Sequence, residues 1–266
     1  MIGVFDSGVG GLSVVKQIFK NLPQYQIIYF GDTVHLPYGT KGAGFVRKSS
    51  ENITKWLLEK EAKIIVIACH TASAEAADYL KKEFKEIPVF EMIGPALKEI
   101  ILGTKNKRIG IIGTPGTIKS EAWEKKLLAL DPSLKIYSKS CPLFVPLVEE
   151  GWINKEITKK IIKEYLKDFK NIETLVLACT HYPMLKSAIK KVVGNKVKII
   201  DPAESLAREL KIFLDDNPQI EKEIKKGSNH EFFFSDQPYN LKRISKLCLK
   251  EEIKPKIISY EEIISE

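Results

Sequence analysis

The stretch I-I-V-I-A-C-H-T at residues 64–71 has a counterpart in T-L-V-L-A-C-T-H at residues 174–181. Each is a short apolar run that ends in Ala-Cys, and the two cysteines, Cys69 and Cys179, lie 110 positions apart. Short runs that are nearly continuous in Ile, Val and Leu are typical of parallel strands covered on both faces. The two stretches therefore predict two buried strands that finish on the same reactive atom.

Similar apolar runs recur along the chain and alternate with stretches of helical spacing. Ile157, Ile161 and Tyr165, for example, repeat at helical intervals. Strands that alternate with helices of this length predict an α/β fold with mostly parallel sheets and right-handed crossovers. The predicted strands cover residues 2–6, 26–32, 63–69, 88–93, 108–114, 134–140, 174–180, 197–202, 230–236 and 256–260.

The two halves of the chain resemble each other. GVFDSGVGGLS at 3–13 aligns with GIIGTPGTIKS at 110–120, an offset of 107 that nearly equals the offset between the two cysteine strands. A repeated offset indicates an internal duplication. We therefore expect two pseudo-symmetric α/β domains, the first formed by residues 1–93 with the returning tail 208–266 and the second by residues 94–207.

The position of the cysteines predicts where a ligand binds. Ligands of open parallel sheets sit beyond the carboxyl ends of the strands. Cys69 ends one predicted strand and Cys179 ends its counterpart. If the two sheets face each other, both thiols line one cleft, so we expect the active site between the domains.

The composition is that of an ordinary globular protein. The chain has 266 residues, of which 44% are hydrophobic and 29% charged. No apolar run approaches the roughly 18–20 residues that span a bilayer, and the start MIGVFDSGVGG lacks the basic and apolar regions of a signal peptide. Four cysteines are too few for a disulfide scaffold. We expect a cytoplasmic protein with reduced thiols and no membrane partner.

The charge pattern favours a solvated surface over a nucleic-acid partner. The net charge is +8, but the lysines are mixed with glutamates, as in EKEAK at 59–63 and EKEIKK at 221–226. No basic stripe interleaved with aromatic residues is present in the sequence. The excess of positive charge can instead aid the capture of a small acidic substrate.

The segment DSGVGGLS at 6–13 follows the first predicted strand and opens a helix. Its glycines match neither the phosphate loop G-x-x-x-x-G-K-[ST] nor the dinucleotide fingerprint G-x-G-x-x-G. The plain alternative is a tight strand-to-helix turn. Because backbone amides at a helix start can bind an anion, we interpret the segment as a carboxylate-binding turn, with Asp6 available to handle protons or to orient a partner.

Two thiols at matching positions of a duplicated fold indicate catalysis more strongly than either thiol alone. A catalytic thiol needs neighbours that favour the thiolate. His181 comes two residues after Cys179, on the same side of an extended chain, and can supply that help. Asp6 or Glu149 can orient a histidine. The other two cysteines are interpreted as structural.

Neither a metal nor a cofactor is expected. Cys69 and His70 are consecutive at a strand end and point in opposite directions, and the sequence has no C-x-x-C or H-x-x-x-H cluster. No lysine is placed at these strand ends to form a Schiff base. Two proton-transfer groups on opposite walls of a cleft can remove a proton from one face of a carbon and deliver one to the other. The pattern favours inversion of a stereocentre in a carboxylate substrate.

Seven stretches carry a family resemblance in the family's order, over nearly the whole chain: DSGVGGLSV (6–14), FGDTVHLPYGTK (30–41), IACHTASA (67–74), GTPGTIKS (113–120), CPLFVPLVEEG (141–151), ACTHYPML (178–185) and IIDPAESLA (199–207). Through them the sequence resembles the glutamate racemases of the cofactor-independent aspartate/glutamate racemase superfamily. The resemblance implies a two-domain α/β fold with a pseudo-twofold axis. It also implies interconversion of L- and D-glutamate, which supplies D-glutamate for peptidoglycan.

By position, the resemblance makes Cys69 and Cys179 the two catalytic thiols, the first acting on D-glutamate and the second on L-glutamate. It implies that Asp6 assists Cys69 and that His181, with Glu149, assists Cys179. The substrate-contacting stretches contain Ser7, Pro37, Tyr38, Gly39, His70, Thr71, Thr114, Thr117 and Thr180.

One departure from the family pattern concerns the substrate. The family usually reads C-N-T after the first cysteine strand, where this chain has Cys69-His70-Thr71. A neutral imidazole can donate one hydrogen bond as an amide does, but it is larger and can charge near neutral pH. Aspartate or another acidic amino acid is therefore the alternative substrate. A non-enzymatic protein on the same fold that binds anions or nucleic acid is the alternative from another class, and a homodimer is left open.

Overall fold

The computed structural model describes residues 1–264. Its strands are β1 (Ile2–Asp6), β2 (Ile27–Gly31), β3 (Ile64–Ile67), β4 (Val89–Glu91), β5 (Arg108–Gly113), β6 (Lys135–Ser140), β7 (Thr174–Ala178), β8 (Lys198–Ile200), β9 (Glu231–Phe234) and β10 (Lys256–Ile257). Its helices are α1 (Leu12–Asn21), α2 (Ala43–Glu59), α3 (His70–Glu83), α4 (Gly94–Leu102), α5 (Pro115–Lys119), α6 (Ala122–Leu130), α7 (Phe144–Glu149), α8 (Glu156–Leu166), α9 (Lys186–Val193), α10 (Pro202–Asp216), α11 (Pro218–Glu221), α12 (Leu241–Leu249) and α13 (Tyr260–Ile264). Every predicted strand is present; β1 has the predicted bounds, and the other strands are shorter than predicted.

The strands form two sheets with the same internal order. The first sheet runs β10-β9-β2-β1-β3-β4 and the second runs β6-β5-β7-β8. Every pair of neighbouring strands is parallel. The order β2-β1-β3-β4 therefore repeats as β6-β5-β7-β8, and the two cysteine strands β3 and β7 hold equivalent places. The predicted α/β fold class with mostly parallel sheets is confirmed, and the repeated strand order is consistent with the predicted internal duplication.

The C-terminal tail adds two strands to the first sheet. β9 pairs with β2, and β10 pairs with β9. The helix α10 connects the sheets, since it follows β8 of the second sheet and packs on α1 beside the first. It runs unbroken through residue 207, so the exact domain boundaries stay a prediction.

The central strands form the core because helices cover both faces of each sheet. β1, β2, β3 and β7 are buried at every residue, which explains their nearly continuous apolar sequence. Each fully buried Ile, Val or Phe side chain contributes about 1.5–3 kcal/mol of hydrophobic free energy. The edge strand β6, by contrast, is half-buried and carries the polar sequence KIYSKS. No helix within residues 1–264 combines the length and the apolar character needed to cross a membrane.

The turn from β1 to α1 is held from two sides. The Asp6 carboxylate oxygen Oδ2 accepts hydrogen bonds from the amides of Gly8, at 3.2 Å, and Gly11, at 2.9 Å. On the other side, the hydroxyl of buried Tyr29 donates to the carbonyl of Gly8 at 2.6 Å. These bonds satisfy backbone groups that the strand and the helix leave unpaired, so the turn has one fixed conformation.

The Tyr29 bond predicts a stability effect. In Tyr29→Phe the buried Gly8 carbonyl loses its donor, and we expect the free energy of unfolding to fall by about 1–3 kcal/mol. Urea unfolding followed by far-UV circular dichroism measures the change. Tyr79→Phe is the matched control, because the Tyr79 hydroxyl bonds Glu51 at the surface, and it should change the free energy by less than about 0.5 kcal/mol. Equal effects in the two variants would contradict the role of the Gly8 bond.

Candidate active site

The carboxyl ends of β1, β3, β5 and β7 meet around one closed cavity of about 30 Å³. Both Cys69 and Cys179 line it, although each side chain is almost fully buried. The sheets therefore face each other as the strand order requires, and each contributes one thiol.

The cavity gathers most of the predicted site. Eleven of its thirteen lining residues belong to the predicted set: Ser7, Pro37, Tyr38, Gly39, Cys69, His70, Thr71, Thr114, Cys179, Thr180 and His181. The predicted residues Asp6, Glu149 and Thr117 lie behind this lining and bond residues near it. Their catalytic and binding roles stay predictions at this point.

Two lining residues, Leu36 and Val145, were missed by sequence reasoning. Both are apolar, and an apolar residue next to a polar motif carries no chemical signal of its own. Val145 lies on α7, in the same stretch that supplies Glu149, so the only available signal was its neighbourhood.

The Cys179 wall contains a chain of three ionisable groups. The Cys179 sulfur lies 4.0 Å from His181 Nδ1, and His181 Nε2 lies 2.9 Å from the Glu149 carboxylate. Burial opposes the positive charge on His181, but the thiol and the carboxylate outweigh it and raise the pKa of His181 to about 10. The imidazole is therefore a cation at neutral pH and places a positive charge beside the Cys179 sulfur.

His181 lies beside Cys179 as predicted, but the chain between the two residues is not extended. The prediction assumed an extended chain from Cys179 to His181. The strand β7 ends at Ala178, and the chain then turns, with the Tyr182 amide donating to the Cys179 carbonyl at 3.1 Å. It is this turn that brings the imidazole to the sulfur.

On the Cys69 wall, no cation of residues 1–264 acts on the sulfur. Cys69 lies between β3 and α3, and its thiol faces the Ser7 hydroxyl at 3.8 Å. Burial, followed by the negative charge of Asp6, raises the pKa of Cys69 to about 12. At neutral pH this wall therefore presents a protonated thiol, while the opposite wall places the His181 cation beside its sulfur.

The amides of the glycine turn bind a side chain of the protein, the Asp6 carboxylate. The bonding amides are those of Gly8 and Gly11, and Asp6 Oδ1 is buried without a partner. The space that side chains would need at Gly8 and Gly10 is filled by Leu36 and by the Thr180–His181 segment. The interpretation as a turn that binds a ligand carboxylate is therefore wrong in one respect, since the carboxylate that it binds is Asp6.

Three hydroxyl groups form a ring across the cleft. Thr71 Oγ1 lies 2.9 Å from Thr114 Oγ1 and 3.1 Å from Thr117 Oγ1, and the last two lie 3.0 Å apart. Thr71 lies in the first turn of α3 in the first domain, whereas Thr114 caps α5 of the second. Each hydroxyl can donate one bond and accept others, so the ring is self-satisfied and its protons can be redirected to an anion.

His70 is a neutral, buried lining residue. Its ring stacks on Trp123, with centroids 6.1 Å apart, and its Nδ1 is buried without a hydrogen-bond partner. Burial lowers the pKa of His70 to about 3. The expectation that this imidazole charges near neutral pH is therefore wrong, and the cavity is lined here by a neutral ring.

No metal centre is formed in the described part of the chain. Residues 1–264 contain no group of three or more His, Cys, Asp and Glu side chains arranged to hold an ion. Cys141 and Cys248 are buried free thiols outside the cavity lining, which agrees with their interpretation as structural residues.

The comparisons with known proteins agree on one family. The family described as Asp/Glu/Hydantoin racemase matches residues 2–210. The chain is 45% identical to glutamate racemase of Aquifex aeolicus over 97% of both chains. Its fold is similar to the crystal structure of Francisella tularensis glutamate racemase in complex with D-glutamate, with a TM-score of 0.88, 37% identity and coverage of 100% and 98% of the two chains. It is also similar to glutamate racemase from Aquifex pyrophilus, with a TM-score of 0.80, 43% identity and coverage of 96% and 97%. The chain therefore belongs to the aspartate/glutamate racemase family of amino-acid racemases.

Proposed function

We propose that this protein interconverts L- and D-glutamate by direct proton transfer between the substrate and two thiols. The observation that carries the proposal is the pair Cys69 and Cys179 on opposite walls of one closed cavity. The substrate follows from the similar proteins, which are named glutamate racemases and include one solved with D-glutamate.

Each direction of the reaction uses both thiols once. Cys179, as a thiolate beside the His181 cation, removes the α-proton of L-glutamate and becomes a thiol. The Cys69 thiol delivers its proton to the opposite face of the α-carbon and becomes a thiolate, which yields D-glutamate. The substrate gives up one proton and gains one, so the two sulfurs together hold one proton before and after the reaction and two protons while the substrate is deprotonated. The reverse reaction starts from the state that the forward reaction leaves.

A carboxyl group lies behind each thiol, Glu149 on the Cys179 wall and Asp6 on the Cys69 wall, and each supports the proton transfer on its own side. Glu149 holds the His181 ring at 2.9 Å and stabilises its positive charge when Cys179 is a thiolate. Asp6 lies behind Cys69, and burial raises the pKa of its carboxyl group. A carboxyl that protonates more readily than usual can share the proton load when Cys69 takes part as a base.

The substrate carboxylates need hydrogen-bond donors from both domains. Ser7, Thr71, Thr114 and Thr180 line the cavity and carry hydroxyl groups, and His70 lines it as a neutral imidazole. Tyr38, with Pro37 and Gly39, closes the first-domain side, while Thr117 holds the hydroxyl ring from behind. The cavity of about 30 Å³ is far below the roughly 300 Å³ or more of typical ligand pockets, so the cleft must widen to admit glutamate.

The cellular role follows from the family resemblance. D-Glutamate made by this enzyme would supply peptidoglycan synthesis in the cytoplasm, and assembly as a homodimer stays a prediction.

A substrate panel tests the proposed function. Circular dichroism or chiral chromatography would follow L- and D-forms of glutamate, aspartate and other amino acids without any added cofactor. Inversion of glutamate in both directions is the expected result. Preferred inversion of aspartate would change the substrate but keep the reaction. Inversion of no acidic amino acid, together with salt-sensitive DNA binding, would support the non-enzymatic alternative.

The two thiols predict matched losses of activity. We expect Cys69→Ser and Cys179→Ser each to lower kcat for racemisation by about 10²–10⁴-fold, because a hydroxyl is a poor proton acceptor at neutral pH. Steady-state rates in both directions measure the loss. Cys248→Ser is the control, since this thiol lies outside the cavity lining, and it should keep most of the activity. A Cys69→Ser, Cys179→Ser double variant with a near wild-type rate would refute the two-thiol mechanism.

The neutral state of His70 predicts which kinetic parameter it controls. In His70→Asn one hydrogen-bond donor replaces another, so we expect racemisation to persist with a changed KM for glutamate. Because the imidazole stays neutral down to about pH 3, the shape of the rate profile between pH 5 and pH 8 should not change. A shift of the acidic limb in the variant would show that His70 titrates in the working range.

Burial of neutral His70 also predicts a pH dependence of stability. Its folded pKa of about 3 lies below the ordinary value near 6.5, so the unfolded chain takes up this proton first as the pH falls. The stabilisation is therefore complete above pH 6.5 and is lost as the pH drops toward 3. Between pH 7 and pH 5, urea unfolding should show the wild-type losing about 2 kcal/mol more than His70→Asn. Parallel losses in the two proteins would contradict this.

A further inference from the structure

The start of α1 in the first domain lies directly against the catalytic segment of the second. We propose that this start, defined by Gly10 and Ser13 and here called the α1 seat, positions the segment Cys179–His181. The inference rests on the proposed function, because it assigns positioning residues to the same reaction. Neither residue lines the cavity, so both act through the residues that they contact.

Ser13 fixes the backbone of the catalytic segment. Its hydroxyl donates to the Thr180 carbonyl at 2.7 Å, and this bond joins residues 167 positions apart in a buried place. Thr180 lies between Cys179 and His181, the two ionisable residues that face each other on this wall. Because the turn after β7 has no strand partner beyond Ala178, the Ser13 bond is a restraint that the sheet does not supply.

Because Gly10 has no side chain, the His181 imidazole can occupy the space beside it. A Cβ atom on Gly10 would lie 2.4 Å from His181 Cε1, 2.5 Å from His181 Nδ1 and 2.4 Å from the Thr180 hydroxyl. His181 Nδ1 is the atom that faces the Cys179 sulfur. Any side chain at position 10 must therefore move the ring away from the thiol or move the α1 seat itself.

Hydrogen bonds and close packing hold the α1 seat in one conformation, so it can position the segment that it contacts. Asp6 bonds the amide of Gly11, and the Ser13 amide donates to the Gly10 carbonyl at 2.9 Å. The neighbouring Gly11 packs on Asp6 and on the Tyr29 ring so closely that a Cβ would lie 2.5 Å from the Asp6 Cβ. The same turn thus contacts Asp6 on one side and His181 on the other. The positive charge of His181 is also the chief influence that opposes the effect of burial on the pKa of Asp6.

Two variants test the α1 seat. Ser13→Ala should lower kcat about tenfold with KM within about twofold, as expected for one lost positioning hydrogen bond. Gly10→Ala should lower kcat about 100-fold, since a displacement of about 1 Å has that effect on a reacting group. Ser13→Thr keeps the hydroxyl and should restore most of the activity lost in Ser13→Ala.

A measurement without substrate separates positioning from stability. The chain has four histidines, and comparison with His181→Asn identifies the His181 Cε1–H signal in a proton NMR titration. The pKa of His181, about 10 in the parent protein, should fall by at least about one unit in both variants because the ring loses its alignment with Cys179 and Glu149. Besides those two groups, Asp6 is the charged side chain that faces His181 across the turn.

Two matched controls make the same Ser→Ala and Gly→Ala substitutions at positions outside the α1 seat. Ser50 has a buried hydroxyl without a hydrogen-bond partner, and a Cβ on Gly44 would meet no atom within 4 Å. Ser50→Ala and Gly44→Ala should therefore leave kcat and the His181 titration unchanged.

The outcomes are distinct. A Ser13→Ala variant with the parent's kcat and the parent's His181 titration overturns the proposal, as does a variant that loses only thermal stability. If Gly10→Ala does not fold, Ser13→Ala and its Thr rescue decide alone. If the wild-type protein inverts no amino acid, the proposed function fails, yet the titration still shows whether the α1 seat aligns His181.

Discussion

The arrangement of this protein depends on one constraint, which is that all paired strands are parallel. Parallel strands send their carboxyl ends to the same edge of a sheet, and each crossover returns through a helix that starts at that edge. Two sheets of the same strand order, with these edges facing each other, then bring two sets of strand ends together. The thiols, the hydroxyl ring and the turn of Asp6 all occupy that shared edge.

The duplication makes the two walls alike in topology, and local packing makes them different in charge. Cys69 and Cys179 follow equivalent strands, β3 and β7. After β3 the chain enters a long helix at once, whereas after β7 it makes a turn that carries His181 back to the sulfur. One thiol consequently faces a cation and the other stays protonated. A racemase needs that difference, since its two acid–base groups must hold opposite protonation states when substrate binds.

The fold and most of the cavity could be predicted because their signals are local. Runs rich in Ile, Val and Leu marked the central strands, and polar residues directly after those runs marked the lining. The parts that were missed depend on contacts between distant residues. The neutral state of His70 comes from its burial against Trp123, which lies on α6. The partners of the glycine turn come from Leu36 and His181, and no spacing rule within the turn indicates them. Val145 is apolar and gave no chemical signal.

The ring of Thr71, Thr114 and Thr117 has a consequence for the electrostatics of substrate binding. In water a carboxylate is surrounded by dipoles that turn freely, and giving up that shell is costly. Three hydroxyls that already bond one another can turn toward an anion by rotating about single C–O bonds, without moving the backbone. Such a ring can stabilise an anion with hydrogen-bond donors that are already close to their final positions, so the reorganisation energy is low. Because the two domains each contribute threonines to the ring, the ring is complete only when the cleft is closed.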